Sequence, residues 1–94
     1  MSNPHYVALI HKDPDSSYGV SFPDVPGVIT AGDTLEEALE LGAEVLAFAF
    51  EDMERPVPRT LDDLHADPEL AEDFATAILV AAIAPKEEAA AAAQ

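Results

Sequence analysis

The sequence has no cysteine and no tryptophan, and only four of its 94 residues are lysine or arginine. Without cysteine there is no disulfide framework, no thiolate nucleophile and no thiolate metal ligand, so nothing ties the chain to an oxidising compartment. No apolar run approaches the roughly 18 residues that a membrane helix needs. The start Met1-Ser2-Asn3-Pro4-His5 lacks the basic stretch followed by an apolar core that marks a signal peptide. The cytoplasm is therefore the expected location. The shortage of cations is the strongest compositional feature: 19 Asp and Glu outweigh the four Lys and Arg, for a formal net charge of −15. Such a surface repels phosphate backbones and anionic lipid and steers basic proteins inward. Direct binding to nucleic acid or membrane is not expected, and a basic protein partner is. Acidity that serves solubility alone is the open alternative.

The common catalytic and metal-binding patterns are also missing. There is no phosphate-cradling glycine loop, no HExxH helix, no EF-hand loop and no nucleophile elbow. His5 and His11 would stand about 20 Å apart on one strand, too far to share a metal, and His65 is remote from both in sequence. Asp13, Asp15 and Asp33 are explained by a hairpin loop and a helix cap, and Ser16, Ser17 and Ser21 have no base beside them. No catalytic, metal-binding or cofactor-binding residue is assigned, and the chain reads as a non-enzyme.

What is present fits one small domain over residues 1–85, followed by an alanine-rich tail, 86–94, expected to fray. Tyr6 to Ile10 is a β-prone run stopped by Asp13-Pro14-Asp15-Ser16-Ser17. Tyr18, Val20 and Phe22 then alternate with Gly19 and Ser21, as in a strand with one buried face. Pro23-Asp24-Val25-Pro26-Gly27 is a stiff turn, and Val28 to Ala31 predicts a third strand, giving an antiparallel meander. Thr34 with Glu37 forms a capping box. The helix that follows buries Leu35, Ala38, Leu39, Gly42, Leu46, Ala49 and Met53 at helical spacing and ends near Arg55, before Pro56. Leu41, Val45 and Phe48 widen its apolar stripe, while Glu36, Glu37, Glu40, Glu44 and Glu51 line its wet side. Short turns at Thr60 and at Asp67-Pro68 are expected to cover the extra stripe. Ala77 to Ile83 suggests a last strand buried on both faces, with a helix as the alternative that its alanine content leaves open. The fold class is therefore α+β: three antiparallel strands, one main helix, short helical turns and a final strand. The surplus apolar surface on the helix and the last strand further predicts a homo-oligomer.

The string Tyr18-Gly19-Val20-Ser21-Phe22-Pro23-Asp24-Val25-Pro26-Gly27, followed closely by Gly32-Asp33-Thr34-Leu35-Glu36-Glu37-Ala38, resembles the N-terminal domain of HicB-family antitoxins. The resemblance is good over about residues 6 to 58 and looser over the final strand. It implies a partial RNase H-like β-β-β-α-β unit that binds and occludes HicA, a small basic mRNA-cleaving toxin. The ribbon-helix-helix or helix-turn-helix segment with which many members bind operator DNA has no counterpart after Pro85. The candidate partner-binding residues are Phe22, Asp24, Val25 and Pro26 on the turn and Glu40 and Glu44 on the helix. A purely structural role as turn and cap is the alternative for the motif residues. A stand-alone oligomeric binding or scaffold module of the same fold, without a toxin, is the alternative function.

Overall fold

The computed structural model describes residues 5–86. Strands β1 (Tyr6–His11), β2 (Tyr18–Ser21) and β3 (Ile29–Gly32) form the expected meander, with Ile10 opposite Val20 and Ser21 opposite both Leu9 and Ile29. Helix α1 (Leu35–Ala49) follows, then α2 (Leu61–His65), a 3-10 turn (Pro68–Leu70), α3 (Ala71–Thr76) and strand β4 (Leu79–Ile83). Strand β4 returns antiparallel along the free edge of β1, so the sheet runs β3-β2-β1-β4 and its class is α+β.

One face of the sheet is built by alternation. Tyr6, Ala8 and Ile10 of β1, Val20 of β2 and Ile83 of β4 point the same way and bury against Ala38 and Leu46 of α1, together with Phe22 and Val25. The helix starts where its cap says it should: Thr34 Oγ1 accepts from the Glu37 amide at 3.1 Å. The Glu37 carboxylate reaches back one residue beyond the cap, accepting from the Asp33 amide at 2.8 Å. The helix stops at Ala49 rather than near Arg55. Phe50 turns inward, its ring 5.5 Å from that of Tyr6, and the Arg55 guanidinium lies over that ring at 5.3 Å. Met53, expected on the buried face, is exposed beyond the helix end.

Residues 56–78 depart most from expectation. They do not cover Leu41, Val45 and Phe48, and Phe48 remains 70% exposed. Instead they cross to the opposite face of the sheet, where His11 Nε2 pairs with the Asp73 carbonyl at 3.0 Å and Leu9 and Leu64 are buried outside the α1 core. The cause lies in β1, whose Leu9 is as apolar as its neighbours and needs a cover on the side α1 cannot reach. The chain enters this second layer past Tyr6, whose hydroxyl donates to the Pro56 carbonyl. Burial raises the Tyr6 pKa above the ordinary tyrosine value, keeping that donor protonated.

Strand β4 is an edge strand, not one buried on both faces. Only Ile83 is buried, while Ile78, Leu79 and Val80 are exposed, because nothing pairs with its outer edge among the described residues. The alanine-rich stretch 87–94 lies outside the described residues. Lys86, assigned to that tail by composition, is anchored on α1: its amide donates to the Ala43 carbonyl at 2.9 Å and its ammonium pairs with Glu44 at 3.2 Å.

Two glycines set how closely α1 approaches the sheet. A Cβ on Gly42 would meet the Ile83 side chain at Cδ1, 3.1 Å away, whereas one on Gly32 would meet the α1 backbone at Ala38 N, 2.6 Å away. A side-chain methyl can yield, but a helix backbone cannot do so without shifting the element. Gly32→Ala is therefore expected to cost about 1–3 kcal/mol of overpacking. Gly42→Ala should stay within about 1 kcal/mol of neutral, because its helix propensity offsets the crowding. Urea denaturation of the two variants checks the order.

Candidate interaction surface

The turn after β2 is two consecutive tight turns. Val25 N–H donates to Phe22 O at 3.0 Å and Val28 N–H donates to Val25 O at 3.2 Å. Gly27 completes them at φ +90°, a conformation that L side chains rarely adopt. The prolines at 23 and 26 stiffen the entry and remove two amides that would otherwise need partners.

The structure separates the six candidate contact residues. Phe22 and Val25 are 2% and 0% exposed and belong to the core, so they shape the turn from beneath and have no surface to give a partner. Truncating Phe22 would be a folding experiment, costing about 3–5 kcal/mol. Pro26 is exposed at the turn. Glu40 and Glu44 are exposed on α1, well away from the turn, and Glu44 is already paired with Lys86.

Asp24 is used inside the molecule. Its carboxylate, 7% exposed, accepts from the Arg59 amide at 2.7 Å and from Arg59 Nε at 2.6 Å. Arg59 reaches onward to Asp67 at 3.3 Å, and Asp67 also caps the 3-10 turn by accepting from the Glu69 amide at 2.9 Å. Hydrogen bonds to Asp24 first, and to Asp67 second, raise the pKa of the guanidinium further. The result is a clasp: the β2–β3 turn holds the start of the second layer, and Asp67 passes the hold to α3. Sequence reading missed Arg59. The signal that could have found it is the scarcity of cations, since an arginine in so acidic a chain has many carboxylates competing for it.

Between the turn and the second layer lies a groove of about 340 Å³. Leu9, Ser21 and Ile29 come from three adjacent strands, Pro23, Pro26, Gly27 and Val28 form one wall, and Arg59, Asp67, Glu69, Leu70 and Asp73 form the other. A second hollow of about 270 Å³ lies between β3 and α1, lined by Thr30, Leu41, Glu44, Val45 and Phe48. Among the described residues no group of three or more His, Asp and Glu side chains is placed to hold a metal ion, and no helix is long and apolar enough to cross a membrane.

Sheet, helix and clasp describe an acidic α+β module whose surface features are a turn, a groove and a charged helix face. The chain belongs to the HicB-like antitoxin family of bacterial toxin-antitoxin systems, whose pattern matches residues 6–91. It is 38% identical over 72 residues to Antitoxin HicB 1 of Photorhabdus laumondii subsp. laumondii, an alignment covering 71% of this chain and 46% of that protein. Against the crystal structure of the N-terminal domain of the Burkholderia pseudomallei antitoxin HicB, the TM-score is 0.69 at 28% identity, covering 88% of this chain and 99% of that one. Against the B. pseudomallei HicB structure it is 0.66, also at 28% identity, covering 85% of this chain but 61% of the other. The chain thus spans about half the length of the curated relative, 46%.

If the clasp fastens the second layer, Asp24→Ala should expose residues 56–67 to limited proteolysis well before the sheet unfolds, while Asp24→Asn should do so less. Equal cleavage rates in all three proteins would show that the segment is held by apolar contacts alone.

Proposed function

We propose that this chain is an antitoxin module that binds and occludes a small, basic, mRNA-cleaving toxin of the HicA type, working in the cytoplasm. The observation that carries the reading is the family match across residues 6–91. The β-β-β-α-β order is read as the partial RNase H-like unit of that family, acting here without catalysis and without a direct contact to nucleic acid.

The distribution of charge supports a basic partner. All four cations are engaged internally: Lys12 over the Tyr18 ring at 5.4 Å, Arg55 over Phe50, Arg59 with Asp24 and Asp67, and Lys86 with Glu44. With only four Lys and Arg against 19 Asp and Glu, the field around the domain is that of its surplus carboxylates. Such a field raises the encounter rate with a cationic protein and deters anionic ones. The exposed Glu40 and Glu44 on α1 are assigned to this steering, and Pro26 to the contact itself. Asp24, Phe22 and Val25 act by holding the turn in shape.

Co-expression of this chain with a small basic toxin of the HicA type should rescue growth, and the purified pair should associate in a salt-dependent manner. Between about 50 mM and about 300 mM salt the association rate should fall by roughly tenfold or more, with the dissociation rate changing far less. Glu40→Gln with Glu44→Gln should imitate part of that loss. Association rates that are indistinguishable at the two salt concentrations would leave the acidity as a solubility feature.

A homo-oligomer is proposed as well, with β4 as its contact. Phe74 to Pro85 carries no charge in a chain of net charge −15, so like copies repel least there. The exposed Ile78, Leu79 and Val80 lie beside an unpaired strand edge, the feature that proteins otherwise blunt with lysine or proline. Sedimentation equilibrium should show a dimer that Val80→Lys converts to monomer. A monomer at high protein concentration before any substitution refutes it.

A further inference from the structure

We propose that the groove on the sheet face opposite α1 is the seat of the toxin, taking a segment in which a basic side chain stands beside an apolar one. This rests on the antitoxin reading above and adds the place and the chemistry of the contact. Three observations lead to it. The groove is the place where the family turn, the sheet and the second layer meet: Pro23, Pro26, Gly27 and Val28 wall one side, while Leu70 and Asp73 wall the other. Its lip is apolar: above the buried Leu9, Ile29 stands exposed by 69% at the mouth. A side chain of that size left in water at the edge of a concave surface is what a partner's apolar group covers.

The charges of the groove are unevenly spent. Arg59 is consumed by Asp24 and Asp67, and both oxygens of Asp67 are engaged, one with Arg59 and one with the Glu69 amide. Glu69 and Asp73 also line the groove, and among the described residues neither has an ion-pair partner within 4.0 Å. They leave two uncompensated carboxylates on one wall. A cation entering here would meet open negative charge, whereas a carboxylate or phosphate would be repelled. The groove also explains why Arg59 is held so firmly: an arginine free to swing would fill this space and neutralise the wall.

The hollow between β3 and α1 is a poorer seat. Glu44 is its only charged lining residue and is paired with Lys86, so this hollow offers an entering cation less open negative charge than the groove does.

Binding of a HicA-type toxin to the full chain, measured with the unaltered protein, with Glu69→Gln/Asp73→Asn and with Ile29→Ser, tests the assignment. All three substituted side chains are exposed, so the fold should survive, which circular dichroism and thermal melting verify. The charge-removing pair should raise Kd about tenfold to a hundredfold and flatten its dependence on salt. Ile29→Ser should raise Kd about tenfold through faster dissociation, with the salt dependence intact. Unchanged affinity in both variants, while the unaltered chain binds, overturns the groove and leaves the antitoxin reading standing. Failure of the unaltered chain to bind overturns that reading, and the groove assignment with it. Variants that bind toxin normally but change self-association would assign the groove to a second copy and likewise overturn it.

Discussion

The architecture depends on the double-sided burial of β1. Its even-numbered residues Tyr6, Ala8 and Ile10 lie under α1, and Leu9 points the other way and is equally buried. A single helix cannot cover both faces of a sheet, so a second layer is needed, and among the described residues the segment between α1 and β4 supplies it. That requirement draws 56–78 across to the far side, although the same residues could have covered the apolar flank of α1. The choice leaves Phe48 in water and makes a groove where the second layer meets the β2–β3 turn.

A layer of two short helices and a 3-10 turn cannot hold itself in place, because helices this short are marginal without tertiary support. The clasp of Asp24, Arg59 and Asp67 supplies the registration. It joins residues 35 positions apart through a carboxylate that is almost fully covered. One polar device thus ties a turn that the family pattern makes conspicuous to a segment whose own local signals are the caps at Thr60 and Asp67. It also occupies the arginine nearest the groove, so the open charges on that wall are acidic. Stability and the proposed recognition share residues here, so Asp24 would shape that contact from within rather than lend it surface.

The meander, the cap at Thr34, the main helix and the final strand were all legible in the sequence, because each rests on local rules: period-2 alternation, a proline-glycine turn, a capping box, and a strand-length apolar run. The family was legible too, through the turn and cap motifs at their close spacing. The helix end was not, since Phe50 leaves α1 to meet the Tyr6 ring and no local rule reports a ring 44 residues earlier. Nor was the edge position of β4. A charge-free run reads the same whether it is sandwiched or lies at a border, and small alanines let it sit half in water.

By itself, then, the sequence determined the order and type of the elements, the acidity and the turn, all of which are set within a few residues of one another along the chain. Only the tertiary structure decided that Phe22 and Val25 are core, that Asp24 is spent on Arg59, and that Glu69 and Asp73 face Ile29 across a groove. Those facts depend on which face of β1 residues 56–78 cover. Both faces offered apolar surface, so periodicity could not choose between them. The choice falls to the fit of Leu64 and Leu9 and to one buried carboxylate, which come together only when the chain is folded.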